Sequence, residues 1–413
     1  MKFAVLSHIL PPARSGQAMV LYRLLKDVDP GAYCLISQED YSTADGQVYS
    51  EKLPCRYYCL RAVPQFKRGT RWGLWRWRSR ANLLISLLSL GRQSREIAGI
   101  LQSERCDALL SCTGNFTNMP AGYLASRRAG ARFYAYIFDD YTYQWVEGLT
   151  RFLASRMEPT LLKGASGVIV ANEFMRDELH QRHGVTATVI HNPCDLSEYD
   201  AAPIKKRGSG DDEISIVYTG AIYQAQLDAL QNLVTALDRL GRSDIRLHVY
   251  TAQQVRQLSA PSSSRFVTLH PHQPLAAMPT IQQEASILFL PLAFDSPYPR
   301  VIRTSAPGKI GEYLSARRPI LVHAPHDSFL AWYFREHECG LVVDDKDPAK
   351  LAQAIQTLVE DPLLQQRLAV RAWQRAEADF RKEVAQAQFA SLMALDLSDR
   401  SQQASASVRH VMT

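Results

Sequence analysis

The chain has 413 residues, 46% hydrophobic and 21% charged, with 47 Lys and Arg against 41 Asp and Glu and a net charge of +6. That composition excludes a disordered, collagen-like or small disulfide-stapled protein, and the length suits two or three domains. The charge is local: Lys52 to Arg95 holds eleven bases and no acid, while the remainder carries 36 bases against 41 acids, a net of −5.

In chain order, Phe3–Ser7 reads as a first strand, followed by the loop Pro11–Gly16 and an amphipathic helix over Gln17–Val28. After the basic stretch, an amphipathic helix over residues 81–102 has Asn82, Ser86, Ser89, Gln93 and Glu96 on one face. Leu84, Leu87, Leu88, Ala98 and Leu101 lie opposite. Ala108–Ser111, Arg132–Phe138, Val168–Val170 and Thr188–His191 read as further strands separated by helical segments, the pattern of a parallel sheet covered on both faces. The Pro-, Gly- and charge-rich run Asp200–Glu213 reads as a linker. The alternation restarts with a strand at Ile214–Thr219, a helix at Ala225–Leu240 and strands at Ile245–Thr251, Phe266–His270, Ile287–Pro291 and Pro319–His323. Helices are expected over Pro307–Ser315, Pro348–Glu360 and Pro362–Asp379. The expected organisation is an α/β domain over 1–199, a linker over 200–213 and a second α/β domain over 214–380. A C-terminal helix over 381–397 packs back on the first domain, and a low-complexity, disordered tail covers 398–413. Two doubly wound domains place a ligand cleft at the carboxyl ends of their sheets.

Seven Cys without a CxxC pair read as reduced thiols in a cytoplasmic protein. Eleven His offer no HExxH, and neither His180/His183 nor His323/His326 has a completing ligand, so no metal site is expected. The apolar run closed by Ser7 and His8 is too short for a signal-peptide core. Leu83–Leu90, interrupted by two serines, would span about 12 Å as a helix against roughly 30 Å of bilayer hydrocarbon.

The segment Arg303-Thr304-Ser305-Ala306-Pro307-Gly308-Lys309-Ile310-Gly311-Glu312-Tyr313-Leu314 carries the most chemistry. Ser305 suits an N-cap and Pro307 a first turn, which presents free backbone N–H groups to an anion. Lys309 adds a full charge for a diphosphate, and Glu312, three residues on, suits ribose hydroxyls. The plain alternative is a capped helix with a Lys–Glu pair worth roughly 0.2–0.5 kcal/mol.

Pro307-x-Lys309-x-x-Glu312-Tyr313-Leu314, followed by Arg318-Pro319-Ile320-Leu321, resembles the donor-site segment of GT-B glycosyltransferases of the family 4 type. Four more segments agree in order: Pro11–Gly16, the Val189–Asp195 stretch, Tyr218-Thr219-Gly220-Ala221, and Cys339–Val343. The resemblance runs from about residue 3 to 380 and implies two Rossmann-like domains, the first binding acceptor and the second binding a nucleotide-diphosphate sugar as co-substrate. It implies retaining, metal-independent hexosyl transfer without a cofactor. Gly220, Arg303, Thr304, Ser305, Lys309 and Glu312 fall on the donor side, with Lys309 near the diphosphate and Glu312 on the ribose. Two departures stand out. Thr304 occupies the place of the family's first Glu, near the donor sugar, and Ala221–Leu227 lacks the usual base, a role left to Arg300 or Arg303. On the acceptor side, Asp139 and Asp140 follow a strand, with Phe138 where the family often has His; they serve either an acceptor hydroxyl or a solvated turn. Gly16 and Asn115 are candidates of the same kind.

Phe66–Arg80 concentrates three of the six Trp and six of the local bases. Arg71, Trp72, Trp75, Arg76, Trp77, Arg78 and Arg80 together have the composition of an anchor on anionic lipid. A nucleic-acid role is not expected, because no binding module accompanies the patch. The combined expectation is a glycosyltransferase of bacterial cell-surface polysaccharide or glycolipid synthesis, cytoplasmic and peripheral to the inner membrane face, acting on a glycan or lipid-linked acceptor. A non-catalytic nucleotide-sugar or glycan-binding protein on the same fold is the alternative. A dehydrogenase fits less well, since the turn after the first strand lacks GxGxxG.

Overall fold

The computed structural model describes residues 1–13, 15–41, 52–64, 66, 75–146, 148–200, 213–253 and 265–394. The expected linker at 201–212, the tail from 398, and Arg71 and Trp72 lie outside the described residues, as do the side chains of Trp75 and Arg76. The chain forms two compact units. One comprises Met1–Ala171, Met175–Ile190 and the chain from Glu383; the other comprises Asn172–Phe174 and His191–Lys382.

In the first unit, β1 (Phe3–Leu6), β2 (Tyr33–Ser37), β3 (Arg56–Cys59), β4 (Ala108–Cys112), β5 (Arg132–Ile137), β6 (Gly167–Val170) and β7 (Thr188–Val189) form one sheet in the order β3-β2-β1-β4-β5-β6-β7. Every pairing is parallel. β1, β2 and β4 are buried at every residue, because helices cover both faces and leave no polar side to alternate. Strand order reverses between β1 and β4, which opens a crevice at their carboxyl ends. Helix Lys382–Met393 sends Ala385, Phe389 and Met393 into the core with Phe3 and Val5, the Phe389 ring lying edge-on to Phe3 at 6.0 Å.

The second unit repeats the plan with β8 (Ile214–Thr219), β9 (Ile245–Tyr250), β10 (Val267–His270), β11 (Ile287–Pro291), β12 (Ile320–His323) and β13 (Leu341–Val343), in the order β10-β9-β8-β11-β12-β13. Its reversal lies between β8 and β11. Helix Leu227–Leu240 shows why the pattern was readable: Ala229, Leu230, Leu233, Ala236 and Leu237 recur on one face and are all buried.

The structure departs from the sequence reading in three places. β2 and β3 add two strands that the sequence pattern did not single out; β3 is a partly exposed edge, where packing rather than alternation decides. Helix Trp75–Ser103 buries Gln93 and Ser94 along with Leu83, Ile97, Ala98 and Leu101, while Leu84 and Leu88 are exposed. The expected polar and apolar faces are therefore only partly those of the folded helix. Finally, the helix expected from Pro307 begins at Ile310, with Lys309 at its N-cap, so Ser305 is not its cap. The Asn172 amide donates to the Thr304 carbonyl at 2.8 Å and the Asn192 amide to the Ala306 carbonyl at 2.9 Å, holding this stretch out of helical geometry.

Candidate functional site

In the second unit, β8 ends at Thr219 and the chain turns at Gly220 with φ +123°, a conformation that a side chain would strain. The Lys309 side chain lies against this turn. Its Nζ donates to the Thr219 carbonyl at 2.7 Å and sits 3.8 Å from the centre of the Tyr218 ring. A carbonyl and a ring face stabilise an ammonium less than water does, so burial lowers the Lys309 pKa to about 7 despite the opposing pull of Glu312. The site therefore holds a cation whose charge an incoming anion would complete.

Glu312, one turn along the short helix Ile310–Ser315, accepts from Gln282 Nε2 at 3.4 Å. The same amide donates to Thr219 Oγ1 at 3.2 Å, and Tyr199 OH donates to Gln282 Oε1 at 2.6 Å. Tyr313 OH accepts from the Thr219 N–H at 2.9 Å. Gly220, Lys309 and Glu312 are thus brought together and fixed by Gln282 and Tyr313. Gln282 carries no local sequence signal, whereas Tyr218 and Tyr313 lie inside the segments that carry the resemblance. Thr304 is buried, with its hydroxyl donating to the Arg300 carbonyl at 3.2 Å. The Arg303 guanidinium lies over the Phe174 ring at 5.3 Å.

In the first unit, the loops after β1, β4 and β5 converge. Gly16 opens helix Gly16–Leu25, and its neighbour Gln17 donates through Nε2 to Ser7 Oγ at 3.0 Å and to the Thr113 carbonyl at 3.3 Å. Thr113 Oγ1 in turn accepts from the N–H groups of Phe138 at 2.9 Å and Asp139 at 3.3 Å. Gly114, at φ +106°, leaves room for the His8 ring, which a Cβ there would meet at 2.2 Å. His8 was not among the sequence candidates; its Nδ1 is buried without a hydrogen-bond partner among the described residues, and burial lowers its pKa. Asn115 Oδ1 accepts from Thr117 N at 2.8 Å, and Asn115 lines a cavity of about 270 Å³ with Gln38, Ser86, Phe116 and Trp145. The buried Trp145 Nε1 has no hydrogen-bond partner among the described residues.

The two carboxylates of the Asp pair part company. Asp139, two residues beyond β5, is an exposed residue, although surrounding protein desolvates its carboxyl enough to raise its pKa. Asp140 is buried and accepts from Thr142 N at 2.9 Å and Tyr143 N at 2.8 Å, and it pairs with Arg182. Arg182 also pairs with buried Glu158 at 2.6 Å, which accepts from Thr142 Oγ1 at 2.8 Å and contacts His183 Nε2 at 2.9 Å. Burial and the charge of Glu158 raise the Asp140 pKa to about 6 against the pull of Arg182. This network occupies Asp140 with holding the 140–143 turn onto helices Leu149–Lys163 and Glu173–His183. Among the described residues no group of three His, Cys, Asp or Glu is arranged to hold a metal ion, and no helix is long and apolar enough to cross a membrane.

Residues 213–361 match the family described as Glycosyl transferases group 1, and residues 50–198 match Glycosyltransferase Family 4. Among solved structures, the chain is similar to a sucrose-phosphate synthase from Thermosynechococcus elongatus, at 14% identity and TM-score 0.70, covering 95% of this chain and 98% of that one. It is also similar to a glycosyltransferase from Rickettsia africae, at 12% identity and TM-score 0.65, covering 95% and 99%. HepE of Anabaena, solved with UDP, has 14% identity, TM-score 0.63 and coverages of 95% and 100%. No curated protein matches the sequence. Both halves of the chain carry glycosyltransferase-family domains on a GT-B fold.

Proposed function

We propose that this GT-B glycosyltransferase transfers a hexosyl group, with retention of configuration, from a nucleotide-diphosphate sugar to a glycan or lipid-linked acceptor. The observation that carries the reading is Lys309: a half-buried ammonium held by a neutral carbonyl and a ring face, beside a glycine turn and a carboxylate, is built to receive an anion. In this reading the diphosphate lies on Lys309 and the Gly220 turn, Glu312 takes the ribose hydroxyls, and Arg303 supplies the second charge. The helix Ile310–Ser315 has only six residues, so its dipole contributes less than the ammonium. As the anomeric carbon–oxygen bond breaks, its electron pair goes to the diphosphate, whose growing charge Lys309 stabilises. The acceptor hydroxyl attacks the oxocarbenium-like sugar from the same face and gives its proton to the departing phosphate oxygen. No metal or cofactor takes part in this scheme.

The acceptor lies at the loops of the first unit. Asp139 is the better candidate of the Asp pair to contact an acceptor hydroxyl, since Asp140 is engaged by Arg182 and two backbone N–H groups. Asn115 and Trp145 at the cavity offer an amide and an indole N–H over an aromatic wall, a combination that suits a sugar ring. HepE of Anabaena has been solved with UDP-glucose, and TarM with alpha-GlcNAc-glycerol and UDP, which supports a nucleotide-sugar donor here. The basic, Trp-bearing stretch around Arg76, Arg78 and Arg80 supports work at the cytoplasmic face of the membrane, in cell-surface polysaccharide or glycolipid synthesis.

A thermal-shift screen against UDP-, GDP-, ADP- and CDP-sugars, followed by transfer assays with the best donor, tests the reading. Lys309→Ala and Glu312→Ala are expected to lose donor binding and turnover; wild-type levels in both overturn the site. A non-catalytic binding protein is the second reading, favoured by Thr304 at the place of the family's Glu. Tight donor binding with neither hydrolysis nor transfer to any lipid extract would select it.

A further inference from the structure

Twelve large hydrophobic side chains are exposed among the described residues, and seven of them fall in two short segments of the first unit. Phe66, Trp77, Leu84 and Leu88 lie on or before helix Trp75–Ser103; Val146, Leu149 and Phe152 lie at the start of helix Leu149–Lys163. Trp77, Leu84, Leu88, Val146, Leu149 and Phe152 are between 51% and 75% exposed. The segments are some sixty residues apart in sequence, and residues beside each of them share one apolar cluster and one cavity. Leu83 and Leu87, next to the exposed leucines, pack into the same cluster as Trp145 and Leu153. Ser86 and Trp145 also line one cavity. One helix thus turns Leu83 to the core, Ser86 to the cavity and Leu84 and Leu88 outward.

Bases flank the apolar residues on both segments. Arg78 and Arg80 follow Trp77, and the Arg156 guanidinium lies over the exposed Phe152 ring at 5.2 Å. The Arg151 guanidinium lies 4.6 Å from the centre of the Tyr143 ring. Between Lys52 and Arg95 there is no acid, and Glu147 is the single acid between Gln144 and Met157. Apolar side chains ringed by bases match an anionic bilayer, where the side chains enter the acyl boundary and the guanidiniums stay with the headgroups.

We propose that Val146 and the helix start at Leu149–Arg156 form a second lipid-contacting element, which docks this unit on an anionic bilayer together with Trp77, Leu84 and Leu88. The inference deepens the reading that the protein works at a membrane and rests on it. It adds a consequence: the cavity bounded by Ser86 and Trp145 then lies next to the docked surface, where the sugar of a lipid-anchored acceptor is presented.

The test uses the full chain and sedimentation with vesicles of 30% phosphatidylglycerol in phosphatidylcholine, beside pure phosphatidylcholine. Wild type is expected to bind the anionic vesicles and to lose binding in high salt. L149D/F152D and L84D/L88D are each expected to weaken binding at least tenfold, with nucleotide-sugar binding in the other unit unchanged as the measure of intact folding. Hydrogen exchange of wild type should show residues 148–153 protected by anionic vesicles, a readout that needs no variant. Loss of binding in L84D/L88D alone, without protection at 148–153, overturns the second element and leaves the membrane reading standing. No vesicle binding by wild type overturns both. Self-association without vesicles that the same substitutions abolish assigns the face to a second copy and also overturns the proposal.

Discussion

Lys309 in the second unit, half-buried, and Asp140 in the first, buried, are charges near the carboxyl end of a parallel strand, and the sequence offered both as candidate site residues. Their surroundings separate them. Asp140 meets a guanidinium and two backbone N–H groups, and Glu158 shares the same Arg182. Lys309 meets a carbonyl oxygen and a ring face, with Glu312 too weakly coupled to restore its pKa. A buried charge completed by its own protein holds structure, and one left incomplete is available to a ligand.

The sharpest way to break this contrast is to remove the completing partner. Arg182→Met leaves Asp140 and Glu158 buried without their cation and is expected to cost about 3–5 kcal/mol of stability, read by chemical denaturation. Unchanged stability would mean that the network is no keystone and would return Asp140 to the catalytic candidates. Lys309→Met should do the reverse: transfer falls by about 10²–10³-fold while stability is unchanged or slightly higher, because an under-stabilised charge has been removed. A large loss of stability with little loss of rate would erase the distinction.

The pH dependence sharpens it further. With the Lys309 pKa at about 7 in the free protein and raised when a diphosphate binds, donor binding takes up a proton above pH 7. Affinity should fall with rising pH from about 7, by up to tenfold per pH unit. Calorimetry in buffers of different ionisation enthalpy should register the proton, and Lys309→Met should abolish the effect. The sign for folding is opposite. The unfolded chain holds the Lys309 proton up to its ordinary value near 10.5, so this group makes the free protein more stable as pH rises from about 7. The smallest effect is expected at Ser305. Because it caps no helix, Ser305→Ala should change stability by less than about 0.5 kcal/mol, whereas a true N-cap would cost about 1 kcal/mol.

Much of the fold was legible because its signals are local. Strands such as Phe3–Leu6 and Ile287–Pro291 are continuous apolar runs, and helix Leu227–Leu240 repeats its apolar face at helical spacing. β3 was not, since an edge strand of Arg56, Tyr57, Tyr58 and Cys59 has no alternation to read. The grouping of Gly220, Lys309 and Glu312 was legible through their segments, while Gln282 was not: it reaches Glu312 from thirty residues away in sequence.

The amino-acid sequence alone determined the repeated βαβ plan, the Lys309–Glu312 spacing and the concentration of bases and Trp in one stretch, because each is a property of neighbouring residues. Only the tertiary structure decided that Ser305 is not a cap, that Leu84 and Leu88 are exposed, and that Asp140 has an ion-pair partner while Lys309 has none among the described residues. Those outcomes depend on which distant groups surround a side chain: Asn172 at the Thr304 carbonyl, Arg182 at Asp140, and the Thr219 carbonyl at Lys309.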